Sequence, residues 1–156
     1  MTEQLSPLAL QALAIVEESG AIISANHAHP HTIRHKGRID LVTETDIAVE
    51  AFLKERLATL TPEAGFLAEE SAEDLSLPDT CWIIDPVDGT TNFAHGLPLT
   101  VTSVAYRLNG EIVLGIVNAP LLRECFIAEK GKGAWRNGER IGVSSVEVGG
   151  QAVLGR

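Results

Sequence analysis

Trp82-Ile83-Ile84-Asp85-Pro86-Val87-Asp88-Gly89-Thr90-Thr91-Asn92-Phe93 decides how this chain is read. Three apolar residues lead into two aspartates, and those lead into Gly-Thr-Thr. The pattern predicts a buried strand ending in carboxylates, then a turn with N–H donors at a helix start. Carboxylates hold hard cations, and N–H groups at a helix start hold phosphate oxygens. Pro86 fixes its own φ and pushes Asp85 into an extended conformation. Gly89 permits close backbone approach, and Thr90 and Thr91 add hydroxyls. The same residues also fit a plain β-turn with an Asx cap, which Asp-Gly often marks.

The flanking sequence supplies the frame. Residues 6–25 predict a helix, with Ser6 as cap and Pro7 at its first position; Leu8, Ala12, Ile15, Ser19 and Ile22 fall near one face. Residues 26–38 are polar, contain Pro30 and four histidines, and read as a loop. A second helix is expected from about Thr43. Thr43-Glu44-Thr45-Asp46 has capping-box spacing with Asp as the acid, Val49, Leu53, Leu57 and Leu60 form the stripe, and Thr61-Pro62 stops it. Gly65 to Ala68 reads as a short strand running into Glu69-Glu70, and 71–80 as an acidic loop.

From Thr80 the chain is strand-rich. Cys81 to Ile84 is expected to be buried on both faces, with one or two helical turns over Asn92 to Gly96. Strands are expected over 99–108, 111–118 and 122–129, and near 133–136 and 139–143; Asn109-Gly110 and Asn137-Gly138 are hairpin turns. Two helices followed by a mostly antiparallel meander predict an α+β fold, with the helices covering one face of the sheet.

The 156 residues suffice for one domain with a real core, and aromatics at 4% make that core aliphatic. A net charge of −9 argues against a nucleic-acid or membrane-surface binder, which needs a basic face. Cys81 and Cys125 are isolated thiols. With a polar N-terminus and no apolar run of membrane-spanning length, they predict a reduced, cytoplasmic protein.

Each further candidate has two readings. Glu69 and Glu70 begin an exposed acidic loop, or Glu69 joins Asp85 at adjacent strand ends. Asp46 caps a helix, serves a site, or does both. Lys36, with Arg34 and Arg38, belongs to a solvated loop or neutralises phosphate. His27, His29 and His31 alternate without Cys or acidic partners, so zinc is not expected. Cys81, inside an apolar strand, reads as core rather than nucleophile.

Asp85-Pro86-Val87-Asp88-Gly89-Thr90-Thr91-Asn92-Phe93 resembles the signature of the inositol monophosphatase family. Glu69-Glu70-Ser71 resembles the family's Glu-Glu-Ser segment. Lys36 with Asp40-Leu41-Val42-Thr43-Glu44-Thr45-Asp46 resembles its Lys upstream of Asp-Leu-Val-Thr-x-x-Asp. Glu129-Lys130-Gly131-Lys132-Gly133-Ala134 with Asn137-Gly138 is similar to its later strands. The resemblance runs from about residue 8 to residue 148.

It implies the first half of a layered sugar-phosphatase fold and a Mg²⁺-dependent, lithium-sensitive phosphomonoester hydrolase. Glu69, Asp85 and the Val87 carbonyl would bind one metal; Asp85 and Asp88 would bind a second, with Asp85 bridging. Thr90 and Asp46 would orient and deprotonate water. N–H groups near Gly89, Thr90 and Thr91 would hold phosphate, with Lys36 nearby. Two Mg²⁺ ions about 4 Å apart can activate water and stabilise the leaving oxygen. The expected substrate is inositol monophosphate, with fructose-1,6-bisphosphate, 3′-phosphoadenosine phosphates and NADP as rivals, and the expected assembly is a homodimer.

The family chain normally continues further. Residues 1–150 are therefore expected to be an N-terminal metal- and phosphate-binding domain, and 151–156 the start of a missing C-terminal α/β domain that supplies another aspartate and the sugar contacts. An apolar sheet face is expected to be exposed. The competing expectation is a non-catalytic metal-binding or interaction module.

Overall fold

Ser6 and Pro7 open the first helix, α1 (Pro7–His27), as the sequence requires. The Ser6 hydroxyl accepts the Ala9 N–H at 3.2 Å, and Pro7 occupies a position whose N–H would be idle anyway. The computed structural model describes residues 4–27, 33–36, 40–68 and 78–145, with 33–36 and 40–43 described by backbone alone. Helix α1 runs past the expected end, and its fully buried apolar line is Ala9, Ala12, Val16 and Ile23; Leu8 and Ile22 are only partly buried. The helix is apolar around most of its circumference, so periodicity alone does not fix which face turns inward. With 21 residues and an 18-residue stretch of mean hydropathy 1.4, α1 is long and apolar enough to cross a bilayer by length and composition, contrary to the sequence expectation. Here it packs on the second helix and the sheet instead.

Strands β1 (Ile33–Lys36) and β2 (Asp40–Thr43) form a small antiparallel pair with Ile33 opposite Thr43 and Lys36 opposite Asp40. The sequence reading made 26–38 a loop. It missed β1 because its polar residues lack the alternation that announces a strand. Helix α2 (Glu44–Leu60) follows β2 directly. Val49, Leu53 and Leu57 are fully buried, and Asp46 is buried in the first turn. The proposed cap residue Thr43 has its side chain outside the described residues.

The main sheet has seven strands in sequence order: β3 (Gly65–Ala68), β4 (Cys81–Asp88), β5 (Val101–Leu108), β6 (Glu111–Ala119), β7 (Glu124–Glu129), β8 (Gly133–Arg136) and β9 (Glu139–Ile141). Only β3 and β4 are parallel; every later pair is antiparallel. The hairpins turn where expected: Asn109 and Gly110 take φ 51° and 84°, and Asn137 and Gly138 take 50° and 81°. Both pairs suit a type I′ turn, whose twist matches the strands it joins. A 3-10 turn (Pro120–Leu122) separates β6 from β7.

Helices α1 and α2 cover one face of this sheet. Trp82, Ile84, Val104, Tyr106, Leu114, Ile116 and Ile127 pack beneath them. Trp82 donates its indole N–H to the Thr61 hydroxyl at 2.8 Å and stacks on Tyr106 with ring centres 4.5 Å apart. Asn118 reaches up to the Val16 carbonyl at 3.1 Å, where Gly20 lets α1 approach: a Cβ there would lie 2.7 Å from the Asn118 amide nitrogen. The opposite face carries Ile83, Ser103, Ala105, Gly115, Val117 and Phe126, half-buried or exposed. On β4 the expected burial on both faces holds at Cys81 and is partial at Ile83, which is half-buried on the outer face.

Candidate active site

Strand β4 does not end at Ile84; it continues to Asp88 through a break in register. On a regular strand, residues three apart point to opposite faces. Here Asp85 pairs with Ser103 and Asp88 pairs with Val101, so three steps of β4 match two steps of β5. The extra residue makes a β-bulge at Pro86 and Val87, opposite Thr102. Pro86 explains its position, because a proline has no N–H for the ladder and sits in a central strand only where pairing is interrupted. Pro86 and Val87 are both buried, Val87 within the core under the helices. Asp85, half-buried, and Asp88, exposed, are thereby brought to the same, outer face of the sheet.

Threonine hydroxyls hold both bulge carbonyls. Thr102 Oγ1 donates to the Pro86 carbonyl at 2.9 Å from a fully buried position on β5. Thr90 Oγ1 donates to the Val87 carbonyl at 3.0 Å from the turn ahead. That use of the Thr90 proton leaves its oxygen lone pairs able to accept from water.

Gly89 follows with φ 89°, a left-handed conformation that an L side chain resists, and a Cβ there would meet the Leu99 carbonyl oxygen at 2.8 Å. It opens α3 (Thr90–Ala94), a short helix whose N-cap, Gly89, supplies no side-chain cap hydrogen bond. Asn92 fixes the turn by donating to the Leu99 carbonyl at 2.9 Å. The helical turn begins slightly earlier than the sequence suggested, which places Thr90 and Thr91 inside it.

The end of α1 joins the elements around this turn. Asn26 donates to the Thr45 hydroxyl in the first turn of α2 at 3.1 Å. His27 lies against Phe93 of α3 with ring centres 5.8 Å apart. Helix α3 also packs against β2, the strand that runs straight into Asp46. Asp46 and Thr90 therefore stand on elements that meet at one end of α1.

Strand β3 ends at Ala68, paired with Ile84, the residue before Asp85. Glu69, Glu70, His29 and His31 lie outside the described residues. Lys36 ends β1, described by its backbone alone. Among the described residues no three His, Cys, Asp or Glu side chains converge on a metal position. Asp85 and Asp88 lie on one face of the sheet with the bulge backbone between them. This is an all-oxygen donor set suited to a hard divalent cation rather than to zinc or copper. Both cysteines are buried. Burial raises the Cys81 thiol despite the opposing pull of Arg107, and pushes Cys125 up to about 12 with help from Glu17. Burial and a raised thiol argue against either as a nucleophile at neutral pH, which for Cys81 agrees with its reading as core.

A cavity of about 510 Å³ lies between α1 and strands β7 and β8, lined by Leu10, Leu13, Cys125, Ile127 and Trp135 among others. None of its lining belongs to the β4 bulge. The sequence reading missed Thr102, His27 and Asn26 as neighbours of the site. A signal existed for Thr102: a threonine in Val101-Thr102-Ser103-Val104 falls at core parity, where a hydroxyl must find a buried acceptor.

Comparison with known proteins bears on the family and the fold. Residues 4–155 match the inositol monophosphatase family. The chain is 45% identical over 147 residues to the inositol monophosphatase of Dictyostelium discoideum, covering 92% of this chain and 54% of that protein. It is 47% identical over 105 residues to a fructose-1,6-bisphosphatase/inositol-1-monophosphatase of Thermotoga maritima, covering 67% and 40%. A solved IMPase/NADP phosphatase complexed with Mg²⁺ and phosphate superposes with a TM-score of 0.73 at 29% identity, covering 81% of this chain and 49% of that one. The chain spans about half the length of the curated relatives it matches. Sequence match and shared fold lead to one conclusion: the chain belongs to the inositol monophosphatase family.

Proposed function

We propose that this chain supplies the metal- and phosphate-binding half of a Mg²⁺-dependent phosphomonoesterase, with inositol monophosphate as its substrate. The observation that carries the reading is the β4 bulge, which turns Asp85 and Asp88 to one face directly ahead of the uncapped start of α3. Asp85, Asp88 and the Val87 carbonyl, with Glu69, would hold the metal ions, Asp85 bridging. When bound, a pair of Mg²⁺ ions neutralises a phosphate dianion and lowers the pKa of an attacking water.

The protein's own groups do the rest. The N–H groups of Gly89, Thr90 and Thr91 would hold phosphate oxygens, and Lys36 would add positive charge. Thr90 Oγ1, its proton committed to Val87, would accept a hydrogen bond from the water and so fix its line of attack. Asp46, buried on α2, would take up the water proton. On this reading the protein acts on a small phosphorylated substrate, in the cytoplasm, as a homodimer. Contacts to the sugar or inositol ring would come from a part matching the remaining half of the relatives.

Phosphate release from inositol 1-phosphate, fructose-1,6-bisphosphate and NADP across a Mg²⁺ titration tests this, with Asp85→Asn as control. Mg²⁺-dependent release that is fastest on inositol 1-phosphate and lost in the variant is expected. Equal release in the Asp85→Asn variant would sink the reading. The second reading is a non-catalytic metal-binding module. It predicts Mg²⁺ binding without turnover on any of the three substrates.

A further inference from the structure

We infer that Thr102 is a positioning residue for the metal-holding carboxylates: its hydroxyl, bonded to the Pro86 carbonyl, locks the bulge that puts Asp85 and Asp88 on one face. The inference rests on the phosphatase reading of that face and goes beyond it to a residue that touches neither metal nor substrate.

Thr102 is the β5 residue opposite the extra residue of the bulge, between the pairs Asp85–Ser103 and Asp88–Val101. It is completely buried, and its hydroxyl lies 2.9 Å from the Pro86 carbonyl oxygen. On its other side Thr102 pairs with Asn118 of β6, so its backbone is fixed within a central strand. The donor is therefore anchored independently of the segment it holds. Pro86 has no N–H, so the ladder between β4 and β5 is interrupted at this point. The Thr102 hydroxyl makes a separate tie between the strands there, donating to the Pro86 carbonyl and keeping that acceptor satisfied.

The alternative arrangement has a specific consequence. A one-residue slip of a strand moves its side chains to the other face. Closing the bulge would turn Asp88 away from Asp85, toward the helices. Thr102 thus acts on metal affinity through Pro86. Thr90 holds the next carbonyl, Val87, at 3.0 Å from the far side, so the two carbonyls are tied from two different elements.

Calorimetric Mg²⁺ binding to this chain tests the role. Thr102→Val removes the hydroxyl at nearly constant volume, Thr102→Ala removes it without adding bulk, and Thr102→Ser keeps it while losing the methyl. The Val and Ala variants are expected to fold by circular dichroism and bind Mg²⁺ about 10- to 100-fold more weakly, the range for loss of an outer-shell support. The Ser variant is expected to retain nearly the wild-type affinity. Wild-type affinity in the folded Val and Ala variants overturns the inference, as does a Ser variant as weak as Val. If neither Val nor Ala folds, the hydroxyl serves the fold at large and the inference falls. A wild-type chain that binds no Mg²⁺ overturns the phosphatase reading and this inference together, so the two failures are told apart.

Discussion

The sheet contains two breaks in register, and they differ in what they accomplish. One lies in β4 between Asp85 and Asp88; the other lies in β6, where Tyr106 pairs with Leu114 but Arg107 pairs with Ile112. The extra residue in β6 is Val113, whose carbonyl accepts the Lys130 N–H at 2.8 Å. That bulge sits beside the Asn109-Gly110 hairpin, is met by a backbone donor, and has Arg107 opposite it with Glu111 and Lys130 nearby. It adjusts strand twist. The β4 bulge lies at a proline in a central strand, uses two threonine hydroxyls and changes the parity of two carboxylates. A bulge gains chemical meaning from the residues whose direction it reverses, not from its irregularity.

The largest expected effect tests the β4 side of this comparison. Asp85→Asn should abolish measurable Mg²⁺ binding, because in the proposed site this carboxylate would contribute charge to both ions. Wild-type affinity by calorimetry would remove the chemical distinction between the two bulges. Next, Thr90→Ala should lower the catalytic rate by about 100-fold, the scale of losing one proton-handling group, with little change in metal affinity. A large fall in metal affinity would instead mean that Thr90 acts mainly through the Val87 carbonyl it holds, as a structural support rather than a water-orienting group.

Two glycines sharpen the contrast between the site turn and the outer hairpins. Gly89→Ala combines a left-handed backbone with a backbone oxygen 2.8 Å from the new Cβ. It should cost about 2 kcal/mol or more of stability by urea unfolding. Gly138→Ala has the same sign of φ but nothing within 4 Å of the new Cβ. Its cost should stay near 1 kcal/mol. Equal losses would mean that the site turn is no tighter than an ordinary hairpin.

The smallest effect concerns the far edge. Burial pushes the Glu129 carboxyl up, but the Ser6 N–H at 2.8 Å and Lys132 at 3.2 Å pull it below its ordinary 4.5 overall. A depressed carboxyl pKa adds stability above the unfolded-state value, and that stability is lost as pH falls through the folded value. Lowering the pH below about 4.5 should therefore loosen the start of α1 in the wild type and less so in Glu129→Gln, read from urea midpoints against pH. An identical pH dependence in both would remove Glu129 as the cause.

Much of this was legible in the sequence. Ser6-Pro7, the Asn-Gly turns and the Val49-Leu53-Leu57 stripe act through neighbours close in the chain, so they fixed the α+β order of elements. Asp85, Asp88 and the Gly-Thr-Thr turn stood out as a candidate site for the same reason. Strand β1 did not, because its pairing with β2 carries no apolar alternation. The inward face of α1 did not, because a helix apolar on most sides takes its orientation from what it meets.

The sequence by itself determined the donor chemistry: two carboxylates, a proline that cannot join a ladder, a glycine that allows the turn, and threonines after it. Covalent identity and short-range backbone preference suffice for that. Only the tertiary structure decided that Asp85 and Asp88 face the same way. Spaced three apart, they would point to opposite faces of a regular strand. Their shared direction depends on the register against β5 and on a hydroxyl from Thr102, contacts between residues far apart in the chain.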